Sequence, residues 1–135
     1  MATIKCFEDI ESWKIARETC KYIGRLIDEG RFRNNYRLIH QIEGSSGSIM
    51  DNIAEGFERG TRLEFIQFLG YAKGSCGELR SQIYRTFDRS IIDSDEFDYI
   101  MSKIVSISGL LQKFIEYLSK SDVGGARKKV APKQP

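Results

Sequence analysis

Ile53-Ala54-Glu55-Gly56-Phe57-Glu58-Arg59-Gly60-Thr61-Arg62-Leu63-Glu64-Phe65-Ile66 is the stretch that decides the fold. Its second half carries a helix-start signal. Thr61-Arg62-Leu63-Glu64 matches the capping box, in which a Thr hydroxyl and a Glu three residues on satisfy each other's free backbone donors. Its first half closes an earlier helix, with Gly56 read as the stop and the chain turning near Gly60. Upstream, Leu38, Ile42, Ile49 and Ile53 recur at threes, fours and their multiples, predicting a helix from about 36 to 55. Downstream, Leu63, Phe65, Ile66, Phe68, Leu69, Ala72, Cys76, Leu79, Ile83 and Phe87 predict one from about 62 to 89.

The same periodicity extends to both sides. Phe7, Ile10, Trp13, Ala16, Cys20, Ile23 and Ile27 place a first helix at about 8 to 28, with Gly30 as its C-terminal stop and Asn34 or Asn35 as the next N-cap. Phe97, Ile100, Met101, Ile104, Ile107, Leu111, Phe114, Ile115 and Leu118 place a fourth at about 95 to 119, starting near Ser94 or Asp95. The only two prolines fall in the last four residues, so no strong helix breaker interrupts the pattern. Four long helices joined by short connections predict an all-α, antiparallel up-down-up-down four-helix bundle over residues 1 to 120. Residues 121 to 135 read as a basic, disordered tail.

Composition excludes several classes. With 135 residues, 41% hydrophobic and 30% charged, the chain fits one domain able to bury a core without staples. The net charge of +2 is unevenly placed: the tail carries +3 and residues 1 to 120 carry −1. No apolar run approaches the roughly 20 residues that span a bilayer, and the start lacks a signal-like apolar region, so no membrane association and a cytoplasmic location are expected. Cys6, Cys20 and Cys76 form no CxxC pair and are read as idle thiols.

Catalytic and cofactor chemistry finds little support. A di-iron bundle site needs Glu-x-x-His on two helices, whereas His40 is the single histidine and has no Glu three residues before it. A nucleophilic triad needs an oriented base, and His40 is again the only imidazole. No phosphate-cradling glycine motif is present. The expectation is a non-enzyme with no cofactor and no metal.

Two features of the central helices stand out. Gly44, Ser45, Ser46, Gly47 and Ser48 in the second are matched by Gly70, Ala72, Gly74, Ser75, Cys76 and Gly77 in the third. In an antiparallel pair, residues around 46 face residues around 75, so the small stretches meet. They serve either close backbone packing or a flat surface for another subunit or ligand. Beside them, Gln41, Ser45, Ser48, Asn52 and Glu55 form a polar strip, answered by Glu64, Gln67, Tyr71, Gly74, Glu78 and Arg85. Such strips are a solvated face, an oligomer interface or a buried network that fixes register. Gln41, Ser48, Asn52, Glu55 and Glu78 are the candidates for that role.

Basic residues bunch at Arg31, Arg33 and Arg37, and at Arg59 and Arg62, at opposite ends of an antiparallel bundle. Lys73, Arg80, Arg85 and Arg89 add a row on the third helix. A row of this kind tracks phosphates or is a solvated face interleaved with Glu64, Glu78 and Asp88. Arg37, Arg59, Arg62, Lys73 and Arg80 are the nucleic-acid candidates. Exposed aromatics for base stacking are not expected, because most Phe and Tyr fall on core faces.

Phe7-Glu8-Asp9-Ile10 with Trp13 and Ala16, Tyr36-Arg37-Leu38 with Gln41-Ile42, and Ser48-Ile49 with Asn52-Ile53-Ala54-Glu55-Gly56 and Arg59 form a pattern. It continues through Glu64-Phe65, Phe68-Leu69, Ala72, Gly74-Ser75 and Glu78-Leu79. Over residues 5 to about 118 the chain resembles the four-helix-bundle proteins encoded by intervening sequences of bacterial large-subunit ribosomal RNA genes. The resemblance implies a homopentameric ring without enzymatic activity. The chain is also similar in architecture to the accessory variability protein of diversity-generating retroelements, a basic pentamer that binds nucleic acid and a reverse transcriptase. It departs from the family pattern at Glu43-Gly44-Ser45, where basic residues are usual, and at Met50-Asp51, where a Pro is usual. The first departure weakens the nucleic-acid inference and the second removes the reason for a kink. Two functions stay open: an oligomeric scaffold binding RNA, DNA or a nucleoprotein through ring-repeated basic residues, and a protein assembly module that binds no nucleic acid.

Overall fold

A computed structural model describes residues 3–120. A short 3-10 turn, Phe7–Asp9, precedes four α-helices: α1 Glu11–Asp28, α2 Tyr36–Arg59, α3 Arg62–Asp88 and α4 Ser94–Lys120. No strand occurs among the described residues. The basic tail read at 121 to 135 lies outside them.

Side-chain pairs along the helices set their directions. Gln41 meets Arg85 and Ser48 meets Ser75, so α2 and α3 run opposite ways. Glu18 with Lys103 and Tyr22 with Tyr99 give the same result for α1 and α4. Phe65 with Phe114 and Tyr84 with Phe97 give it for α3 and α4. Each helix packs on two others in a closed square, with α2 against α3 the most extensive pairing and α1 against α4 closing the ring.

The core is branched and aliphatic. Ile10, Ile23, Ile42, Ile49, Ile53, Leu69, Leu79, Ile83, Ile100, Ile104, Ile107 and Leu111 are buried together, with Phe65 and Phe114 stacked edge to face at 5.2 Å. Fully burying each such side chain contributes about 1.5–3 kcal/mol. Packing of this kind holds α2 helical despite Gly44 and Gly47, each of which costs about 1 kcal/mol relative to Ala.

Helix ends differ from expectation where local signals compete with packing. The first helix does not run unbroken from residue 8, because Ile10 takes an extended conformation (φ −75°, ψ 124°) that buries its side chain completely. Gly56 does not stop α2. It is buried inside the helix at the crossing with α3, where an added Cβ would lie 2.6 Å from Phe68 Cβ, and the helix ends instead at the left-handed Gly60 (φ 82°). Asn35 caps α2 through the Leu38 N–H, and Thr61 caps α3 by accepting from Glu64 N–H while its hydroxyl donates to the Glu64 carboxylate. α4 starts at Ser94, within the expected bounds, and is capped by Asp93: Asp93 Oδ1 accepts from Glu96 N–H and Glu96 Oε1 accepts from Asp93 N–H, a reciprocal box. Leu63, read as core, is exposed in the first turn of α3.

The glycines are corrected as well. Gly44, Gly47, Gly70, Gly74 and Gly77 do not draw α2 and α3 together, since a Cβ at any of them would meet nothing within 4 Å. The close approach is made by Ser45, Ser48, Ser75 and Gly56.

Candidate nucleic-acid interface at one end of the bundle

The α1–α2 and α3–α4 connections lie together at one end and are built alike. α1 ends in a Schellman turn, with Gly30 N–H donating to Ile27 O and Arg31 N–H to Leu26 O. α3 repeats it through Ser90 N–H to Phe87 O and Ile91 N–H to Thr86 O. Gly30 takes the required left-handed conformation freely, whereas Ser90 (φ 61°) does so against its Cβ, as does Arg33 (φ 52°). Both strained residues line one trough.

Arg31 ties the two connections together. Its Nη1 donates to Glu96 Oε2 at 2.9 Å, and its Nη2 donates to Glu96 Oε1 at 2.6 Å and to Ile91 O at 3.0 Å. This bidentate geometry is the strong form of the Arg–carboxylate pair. Donation from Arg31 holds the Glu96 carboxyl below its ordinary range. Arg31 is thus engaged internally, unlike Arg33 and Arg37 beside it in the sequence.

The tie frames a trough of about 940 Å³ lined by Glu29, Arg31, Arg33, Asn35, Arg89 and Ser90, among others. A second groove of about 380 Å³ shares Asn35 and Arg89 with it and adds Arg37, Arg85 and Asp88. Arg33, Arg37, Arg85 and Arg89 are exposed, and none makes an ion pair among the described residues. Arg85 donates to Gln41 Oε1 at 3.0 Å, which fixes its direction without neutralising it. Arg37 and Arg89 are far apart in sequence and line the same groove because α2 begins where α3 ends. The pairing of 46 with 75 already contains that register, and applying it to the arginines finds the cluster.

Other candidates sit elsewhere. Arg59 Nη2 is 3.1 Å from Glu55 and its Nη1 3.5 Å from Glu64, with the guanidinium 5.1 Å over the Phe68 ring. Arg62 Nη1 donates to Leu118 O at 3.2 Å, tying the start of α3 to the end of α4. Lys73 and Arg80 flank Cys76 along the middle of α3, Lys73 half-buried and Arg80 exposed.

The polar strip forms a seam between α2 and α3. Gln41 accepts from Arg85, Ser45 donates to Gln82, and Ser75 donates to Ser48 Oγ at 3.0 Å. Asn52 Nδ2 donates to both Ser48 O and Ser48 Oγ within its own helix, and Glu55 holds Arg59. Glu78 is exposed beside a groove of about 580 Å³ lined by His40, Gln41, Gly44, Ser45, Ser81, Gln82 and Arg85.

The three cysteines are free, and burial pushes the Cys76 thiol up to about 12 and raises that of Cys20, so neither offers a thiolate near neutral pH. Among the described residues no group of three or more His, Cys, Asp or Glu is arranged to hold a metal ion, and no helix is long and apolar enough to cross a membrane.

The family profile of the 23S rRNA-intervening sequence protein matches residues 8–113. The chain belongs to that family. No curated protein matches it. Among solved structures it is similar to the crystal structure of a protein of unknown function from the S23 ribosomal protein family of Bacteroides thetaiotaomicron. That match has 21% identity and a TM-score of 0.64, and covers 76% of this chain and 98% of the other. At that identity the likeness speaks for the four-helix fold alone. The family and its structural neighbour point to no catalytic class.

The expectation that exposed aromatics would be lacking is overturned. Tyr36, Tyr71, Tyr84, Phe87 and Tyr99 are all substantially exposed. Periodicity assigns a ring to the apolar side of a helix, but long aromatic side chains at the edge of that side reach solvent.

Proposed function

We propose that the chain is a non-catalytic, self-associating cytoplasmic scaffold that grips the phosphate backbone of RNA or DNA, free or within a nucleoprotein, at the arginine-lined end of the bundle. The observation that carries this reading is the convergence of Arg33, Arg37, Arg85 and Arg89 from two loops and two helices with no carboxylate in ion-pair range. A protein that needed these cations only for solubility would have no reason to gather them around two strained loop residues. A phosphate ligand gains charge-assisted bonds there and releases its counterions. Self-association multiplies the cluster, and the family resemblance suggests a pentameric ring. A reverse transcriptase or another nucleic-acid-bound protein is a fitting partner.

The test is binding of labelled structured RNA and duplex DNA to the full chain at two salt concentrations, with mass measured by light scattering. The double substitution Arg37→Gln/Arg89→Gln is expected to weaken binding at least tenfold at low salt and to flatten the salt slope by roughly 0.9 for each duplex phosphate no longer neutralised. Lys128→Gln/Lys129→Gln measures the separate contribution of the basic terminus. Unchanged binding in the arginine variant sinks the reading.

A second reading, protein assembly without nucleic acid, is favoured by the α2–α3 face, where Gly44, Gly47, Gly70, Gly74 and Gly77 leave open space. Gly74→Glu adds bulk and charge where nothing of this chain packs, so loss of assembly with an unchanged circular dichroism spectrum would support it.

A further inference from the structure

We infer that this end of the bundle takes single-stranded nucleic acid, with one unpaired base stacked on Tyr36 and the flanking phosphates on Arg37 and Arg89. This rests on the phosphate-binding reading above and adds the strand state that the site selects. Of the exposed aromatic side chains, Tyr71 packs on Phe68, Tyr84 and Phe87 on Phe97, and Tyr99 on Tyr22. Tyr36 has no ring neighbour and no cation over its face among the described residues, and at 70% it is the most exposed of them.

Its position is nonetheless anchored. The hydroxyl donates to Asn34 Oδ1 at 3.3 Å, and the residue opens α2 between Asn35, which lines both grooves, and Arg37. An aromatic side chain this exposed, with no ring or cation stacked on it among the described residues, adds little to the core but offers a stacking platform one residue from Arg37 at the rim of the arginine-lined grooves. Bases inside a duplex have both faces covered by their neighbours, so only an unpaired, unstacked base can lie on such a ring. Phosphate contacts alone do not discriminate strand state; the ring does.

The experiment is fluorescence anisotropy on the full chain at low salt, using a labelled single-stranded RNA without self-complementarity and the same strand annealed to its complement. Tyr36→Leu is expected to weaken single-strand binding about tenfold, the low end of what one stacked base contributes, and to leave duplex binding unchanged. Tyr36→Phe keeps the ring and loses only the exposed hydroxyl bond to Asn34, so it is expected to bind the single strand more tightly than Tyr36→Leu does. An equal effect of Tyr36→Leu on both probes, no effect on either, or a Tyr36→Phe variant that binds the single strand no better than Tyr36→Leu overturns the inference. If Arg37→Gln/Arg89→Gln still weakens binding, the phosphate reading survives that outcome; if it does not, or if neither probe binds, both fall.

Discussion

Where α2 turns into α3, Arg59 lies between Glu55 and Glu64 against the Phe68 ring, and Arg62 reaches across to the carbonyl of Leu118. At the opposite end, Arg33, Arg37, Arg85 and Arg89 line two adjoining grooves without an ion-pair partner among the described residues; Arg31 is held by Glu96, and Arg85 is directed by Gln41 but not neutralised. Similar arginine clusters in the sequence therefore have different physical roles. At the first end, charge closes helix termini against each other, and Arg62 Nε is buried there without a partner, a sign that packing took precedence. At the second, the helix termini are closed by Schellman turns and caps, and Arg33, Arg37 and Arg89 have no ion-pair partner among the described residues.

The contrast is broken most severely by removing the arginines selectively. Arg59→Gln/Arg62→Gln is expected to leave nucleic-acid affinity within about twofold while lowering the unfolding free energy by roughly 1–2 kcal/mol, mostly through the Arg62 bond. Arg37→Gln/Arg89→Gln should do the reverse. Binding that follows Arg59 and Arg62 instead would invert the comparison.

Gly56 tests how tightly the first end is packed. Gly56→Ala removes a helix-interior glycine, worth about 1 kcal/mol in propensity, but drives a methyl to 2.6 Å from Phe68 Cβ. A net loss of about 1–2 kcal/mol is expected by urea denaturation. Gly74→Ala, in open space, should instead stabilise the isolated chain by up to about 1 kcal/mol. A gain in both variants would mean that the crossing is loose.

At the arginine end, Glu96 links stability to pH. Its folded value is lowered from 4.5 by Arg31, so the folded state binds fewer protons than the unfolded chain as pH falls through that range. The contribution of the pair is fully present above about pH 4.5 and is lost as pH drops through the lowered folded value. Glu96→Gln should remove that part of the acid slope, measured as midpoint shifts between about pH 6 and pH 3. An unchanged slope would show that the tie does not frame the trough.

The smallest effect is expected at Ser90. Ser90→Gly relieves a left-handed non-glycine residue and should raise stability by less than about 1 kcal/mol, the unfolded-state entropy of glycine taking back part of the gain. If binding weakens while stability rises, the strained loop shapes the trough; if binding is untouched, the strain is incidental.

Local signals are legible in the sequence. Thr61 caps α3 by accepting from the Glu64 N–H and donates its hydroxyl to the Glu64 carboxylate, three residues apart, so no tertiary knowledge is needed to start α3 there. Asp93 and Glu96 carry an equally local box, but Ser94 and Asp95 are also good caps and only the hydrogen bonding separates them. Gly56 misleads for a different reason. A glycine is a helix stop when the backbone must turn left-handed and a packing residue when a neighbour needs the space of a Cβ, and periodicity does not distinguish these.

By itself the sequence determined the four helices, their order and the all-α class, because each depends on residues three or four apart. It also placed the small and polar stretches of α2 and α3 at one level, since antiparallel register follows from a short turn. Tertiary structure alone decided which charges are free. Whether an arginine is neutralised depends on carboxylates and carbonyls that are distant in sequence, as Arg31 with Glu96 and Arg62 with Leu118 show. The surroundings of Tyr36 were decided in the same way: no aromatic or cationic side chain among the described residues stacks on its ring, and sequence spacing does not encode what fails to arrive.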